Sequence, residues 1–246
     1  MGLFDLLSKE GRKAGALKRS LARAVNKDAQ SADRMRALEI LNDDGSEEAI
    51  YGLCRRFSFV YDKTIEDEQE KEWVESALVE KGDRVLTMLK RYLHSADSIS
   101  WPLRVLEKVA AADQIAEVIH ELAERNEPGY VRDPSKKIQL LTFMGDHRDA
   151  RLSERLVPYL EDMDEGVRFT TVESLVKLKN EAISREPLLK HFIKPEEESG
   201  RIKIRIAEGF ADLGWEVKGY RGTVEKLLPD QFLVDGKGRV RRKGQG

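Results

Sequence analysis

Asp162-Met163-Asp164-Glu165-Gly166-Val167-Arg168-Phe169-Thr170-Thr171-Val172-Glu173-Ser174-Leu175-Val176-Lys177-Leu178 is the stretch whose reading decides the fold. Asp164 and Glu165 stand where acids complement the positive end of a helix dipole. Val167, Thr171, Val172, Leu175 and Leu178 recur at helical spacing, so one face is apolar. Asn180 breaks the pattern. A second helix is predicted over Ser184 to Ile193, with Leu188, Leu189 and Phe192 as its stripe and Pro187 in its first turn. A pair of short one-faced helices cannot bury its apolar surface alone and has to stack on further pairs.

The same seam recurs outward in both directions. Val172-Leu175-Leu178 is preceded by Ile138-Leu141-Met144 and Leu103-Leu106-Val109, and followed by Ala207-Phe210-Leu213, at offsets of 34, 35 and 35 residues. Met35-Leu38-Leu41 lies 68 residues before the Leu103 set, two such periods. Gly214 occupies the place of Lys179 one unit on, where a glycine cap ends a helix. Further pairs read as Asp33–Leu41 with Glu47–Phe57, Ser100–Ala110 with Gln114–Glu124, and Pro134–Gly145 with Leu152–Leu160; the last second helix is Tyr220–Leu228, stopped by Pro229.

Asp164-x-x-Val167-Arg168 with Leu175-x-x-Leu178 resembles a HEAT repeat, the antiparallel helix pair of armadillo-type solenoids. The resemblance implies an all-α fold over residues 31–228, a right-handed α-solenoid of about six antiparallel helix pairs. It also implies the family's usual role, a scaffold for protein partners.

One unit departs from the period. Strict register would place Gln69, Glu72 and Glu75 in the seam, so the expected stripe shifts to Trp73, Ala77 and Leu78, and the extra residues are expected to loop out between Ser58 and Glu68. This acidic insertion, with Asp62, Glu66, Asp67 and Glu68, is either a docking patch for a basic partner or a solvated lead into an acid-rich first helical turn. Residues 1–28 read as a basic amphipathic helix that caps the first repeat, pairs with a partner helix or, as the minor reading, touches an anionic membrane through residues 1–27. Residues 229–246 read as a basic hairpin or extended tail, with Asp235-Gly236 as the turn.

Charge is unevenly placed. Residues 1–27 carry a net +5 and residues 236–246 another +5, so the formal total of −2 leaves −12 on the body between them. An acidic body argues against nucleic acid as the partner. A single cysteine, Cys54, precludes an internal disulfide and fits a reducing compartment; with no span-length apolar run, the expectation is a cytoplasmic protein.

His94, His120, His147 and His191 lack the spacing of a metal site, and no phosphate loop or nucleophile elbow appears, so neither cofactor nor catalysis is expected. Glu117, His120 and Glu121 fit an exposed helix face better than a catalytic one. Cations recur near the ends of second helices. Arg56, Arg91, Arg125, Lys190 and Lys194 are the candidate partner-binding residues, able to seat an acidic peptide or phosphate groups, although the helix dipole favours cations there in any protein. The expected function is therefore a non-enzymatic adaptor. A HEAT-like nucleic-acid-binding or DNA-repair protein is the first alternative, and a HEAT-like lyase or modifying-enzyme subunit the second.

Overall fold

The computed structural model describes residues 3–147 and 149–244. The side chains of Leu3, Phe4, Leu6 and Leu7, which lead the amphipathic segment, lie outside that description. The described chain is all-α apart from one two-stranded hairpin. It divides into two compact units, one ending at Leu122 and one starting at Ala123.

The first unit holds α1 (Leu3–Ala24), α2 (Ser31–Asp44), α3 (Glu47–Cys54), α4 (Thr64–Glu80), α5 (Leu86–Ser95) and α6 (Ser100–Val109), and most of α7 (Ala112–Arg125), which the division cuts. A 3-10 turn, Arg55–Ser58, prolongs α3. Alternate helices pack on one another: α2 on α4, α4 on α6, and α3 on α5. Helix α1 lies against α2 and α3, with Ser20 and Ala24 buried and Leu17 and Leu21 half-buried. Gly52 on α3 admits the Leu21 side chain, which a Cβ there would displace.

The second unit holds α8 (Ser135–Asp146), α9 (Ala150–Leu156), α10 (Glu165–Leu178), α11 (Glu181–Ile193), α12 (Gly200–Leu213), α13 (Arg221–Leu227), β1 (Phe232–Val234) and β2 (Val240–Arg242). Here α10 packs between α8 and α12, and α11 packs on α9 and α13. Leu141, Met144, Val172, Leu175, Ala207 and Phe210, all from the recurring seam, are buried. Two glycines set how closely the helices approach. A Cβ at Gly145 would stand 2.8 Å from the Cα of Ser174, and one at Gly209 would stand 2.5 Å from Val176 Cγ2.

Equivalent helix ends use equivalent chemistry. Asp164 accepts the Val167 N–H at the start of α10, and Ser199, 35 residues on, accepts that of Ile202 at the start of α12. Lys179 and Gly214, again 35 apart, close these helices in the left-handed conformation at φ 56° and 68°. Helix α11 differs from the sequence expectation. It begins at Glu181, so Pro187 falls inside it, and burial of Ser184 before the proline and of Leu188, Leu189 and Phe192 after it holds the helix together.

Buried carboxylates tie one helix to the next. Asp162 accepts Lys137 Nζ at 2.8 Å and the backbone N–H groups of Gly129 and Asp164. Glu197 takes Arg168 Nε at 2.7 Å and the Ser199 N–H. Burial alone would raise both carboxyl pKa values, but these donors overcome it and hold them below the ordinary range. In the hairpin, Val234 faces Val240, and the backbone N–H groups of Arg239 and Lys237 with the Arg241 side chain hold the Asp235 carboxyl down at about 2. Arg239 and Arg241 pair with Asp235, and Arg242 pairs with Asp212, so three of the five tail cations are engaged internally.

Candidate functional site

A groove of about 870 Å³ lies in the first unit between α1, α3 and α5. Its floor is Leu17, Leu21, Tyr51 and Met88. Helix α3 lays out its wall by simple periodicity. Glu47, Tyr51 and Arg55 lie at i, i+4 and i+8, one turn apart on one face. Acids thus mark the start of α3, where Glu47 and Glu48 meet the helix dipole, and a cation marks its end. Helix α5 adds Arg91, whose guanidinium sits 4.7 Å from the centroid of the Tyr51 ring. Tyr51 is fixed in turn by an edge contact with Tyr92, ring centroids 6.2 Å apart, and by its hydroxyl 3.4 Å from Ser95 Oγ. Lys13 reaches Asp44 at 3.3 Å across one end, and Asp44 is held below the ordinary carboxylate range first by the Ser46 hydroxyl and then by Lys13. Among the described residues, the Arg55 and Arg91 side chains have neither an ion-pair nor a hydrogen-bond partner.

Arg56, one residue along, has the opposite environment. The 3-10 turn carries it into the interior, where it is fully buried. Its Nε donates to Glu70 Oε2 at 2.8 Å and its Nη2 to Asp67 Oδ1 at 2.6 Å. Arg34 grips the same Glu70 through Nε and Nη2 at 2.9 and 2.8 Å, and Lys71 completes the set on Asp67 at 2.7 Å. Tyr61 lies under Arg34 at 4.2 Å, and Phe59 under Arg56 at 4.4 Å. Glu70 is buried, which would raise its pKa, but hydrogen bonds from Arg34, Arg56 and Ser31 pull it below the ordinary value.

Two sequence expectations are corrected here. Arg56 is no surface rung, because its guanidinium is spent on buried carboxylates. The acidic insertion is not a loop from Ser58 to Glu68 either, since α4 starts at Thr64 and Asp67 is a buried counter-ion. Asp62 and Glu68 remain exposed, and Glu66 pairs with Lys63 at 3.2 Å. Glu75, which strict register placed in the seam, is buried on α4 and takes Arg104 and Lys108 at 2.8 and 2.6 Å.

The remaining candidates are dispersed. Arg125 is exposed in the second unit. Lys190 pairs with Glu186 at 2.8 Å, and Lys194 pairs with Glu161. Arg55, the neighbour of Arg56 at the end of the same second helix, is the cation that lines the groove; its i+4 relation to Tyr51 is the sequence signal for it. Glu117 and Glu121 receive Lys90, and Glu121 also faces His94 at 3.0 Å, so these acids join α7 to α5. Cys54 is buried and its thiol is pushed up to about 12 by desolvation, which leaves it inert. Trp101 stacks on Phe57, and Trp215 meets Phe210 edge-on; both fill gaps between helices. Among the described residues, no group of three His, Cys, Asp or Glu side chains is placed to hold a metal, and no helix is long and apolar enough to cross a membrane.

No family model matches the chain, and no curated protein or solved structure matches it significantly.

Proposed function

We propose that this chain is a non-enzymatic adaptor built of HEAT-like helix pairs, and that it works by offering a preformed helical surface to a protein partner. In this reading the first unit carries the pairs α2/α3, α4/α5 and α6/α7, the second α8/α9, α10/α11 and α12/α13, and each unit by itself is a run of α-solenoid pairs. Packing of first helix on first helix, and caps repeated 35 residues apart, support this reading. The observation that carries the function is the groove beside α3 and α5. It combines an apolar floor with two arginines whose side chains have neither an ion-pair nor a hydrogen-bond partner among the described residues. Buried ion pairs and close helix contacts fix that surface in advance, so little ordering cost remains at association.

The test is affinity capture with the full chain, followed by nuclease treatment and size-exclusion chromatography of what is retained. The expected result is a protein that co-elutes with the chain in a fixed ratio and survives nuclease. Recovery of nucleic acid alone, or of no stable complex, would reject the adaptor.

A further inference from the structure

The groove's charges are arranged along its length, and that arrangement selects an occupant. Glu47 and Glu48 stand at one end of α3 and Arg55 about 12 Å away at the other, eight residues at 1.5 Å each. Arg91 joins Arg55 from the neighbouring helix, and packed helices stand about 8–10 Å apart. The Arg91 guanidinium is held over the Tyr51 ring, and its N–H groups have no hydrogen-bond partner among the described residues. A guanidinium fork matches a carboxylate in two parallel hydrogen bonds. Two carboxylates two residues apart on an extended chain point to the same side about 7 Å from each other, within reach of two long arginine side chains set one helix apart.

The other end of the groove works against a uniform polyanion. A nucleic-acid backbone or an anionic bilayer laid along α3 would bring negative charge over Glu47 and Glu48, and the Leu17, Leu21, Tyr51 and Met88 floor would go unused. A short acidic stretch next to an aliphatic residue satisfies both ends.

We propose that the groove between α1, α3 and α5 is the docking site for an acidic, extended segment of the partner protein, with carboxylates on Arg55 and Arg91 and an aliphatic side chain on Tyr51 and Met88. This rests on the adaptor reading and adds to it the chemistry of the partner. The Arg55 position gives the segment a direction: its acids lie toward the 3-10 turn and its uncharged or basic residues toward Glu47.

The experiment is selection of a random short-peptide phage library on the full chain, with affinities of the enriched peptides then measured by fluorescence anisotropy. Enriched peptides should carry two or more Asp or Glu beside an aliphatic residue. Their affinity should fall by at least about tenfold in the Arg55→Glu/Arg91→Glu variant and on raising salt, and stay unchanged in Lys226→Glu, which reverses a cation outside the groove. Arg55→Gln/Arg91→Gln serves if the double reversal does not fold. Enrichment of peptides without acids, equal affinity for the reversed variant, or no enrichment would overturn the proposal. So would Arg55- and Arg91-dependent binding of phosphatidylserine vesicles in place of peptide. A captured protein partner that still binds the double reversal would remove this groove while leaving the adaptor reading intact.

Discussion

Arg55 and Arg56 share a side chain and a neighbourhood, yet one faces solvent in a groove and the other is locked between Glu70 and Asp67. Removing one partner from a buried ion network leaves an uncompensated charge, which costs about 3–5 kcal/mol, whereas an exposed substitution stays within about 0.5 kcal/mol. Arg56→Ala should therefore shift the urea midpoint strongly downward, while Arg55→Ala should leave it in place. Local sequence could not separate the two, because Arg56 finds its counter-ions 11 and 14 residues away and Arg34 finds Glu70 at a separation of 36. Buried charge is set by tertiary partners, and apolar periodicity is blind to it. His191 makes the same point. It is buried among Glu161, Arg168, Lys194 and Glu197, with Nε2 2.9 Å from Glu197 Oε2 outside hydrogen-bonding geometry, and desolvation lowers its pKa. The unfolded chain then binds a proton that the folded chain refuses, so stability should decline as pH falls below about 6.5, before the carboxylates of Glu70, Asp162 and Glu197 titrate. Denaturation midpoints between neutral and mildly acidic pH should show this early decline in the wild type and not in His191→Phe. An identical profile in both would refute it.

At the scale of helices, the seam was legible because close packing repeats its demands. Six of the nine triplet residues on α8, α10 and α12 are buried, with Ile138, Leu178 and Leu213 half-buried at their edges, and the caps at Asp164 and Ser199 and at Lys179 and Gly214 recur with them. The glycine at 214 costs nothing in its left-handed turn; Lys179 is there at a cost. Lys179→Gly should stabilise the protein by about 1 kcal/mol in chemical denaturation. Gly145→Ala should do the reverse, losing about 1–3 kcal/mol, because the new methyl meets the backbone of Ser174 and forces α8 from α10. A neutral or stabilising Gly145→Ala would mean that the approach of these helices is not set by that glycine. What the pattern missed at this scale is the start of α4. Ala77 and Leu78 of the expected stripe are buried, but Thr64 to Glu68 are helical, and a hydrophobicity rule reads an opening turn that buries Asp67 as a loop.

For the molecule as a whole, a body with a net −12 between basic ends gives no single-signed field, and the basic tail is partly neutralised by Asp235 and Asp212. The proposed recognition therefore rests on a local arrangement of groups, to which composition is blind. The sequence held the cations and the aromatic in plain view, but only the fold sets Arg55, Tyr51 and Arg91 around one floor. The most direct measurement of the central claim is hydrogen–deuterium exchange of the full chain with and without the protein it captures. Slowed exchange concentrated in α1, α3 and α5 is the predicted footprint. Protection confined to the second unit, or absent from these three helices, would contradict the assignment of the groove as the partner surface.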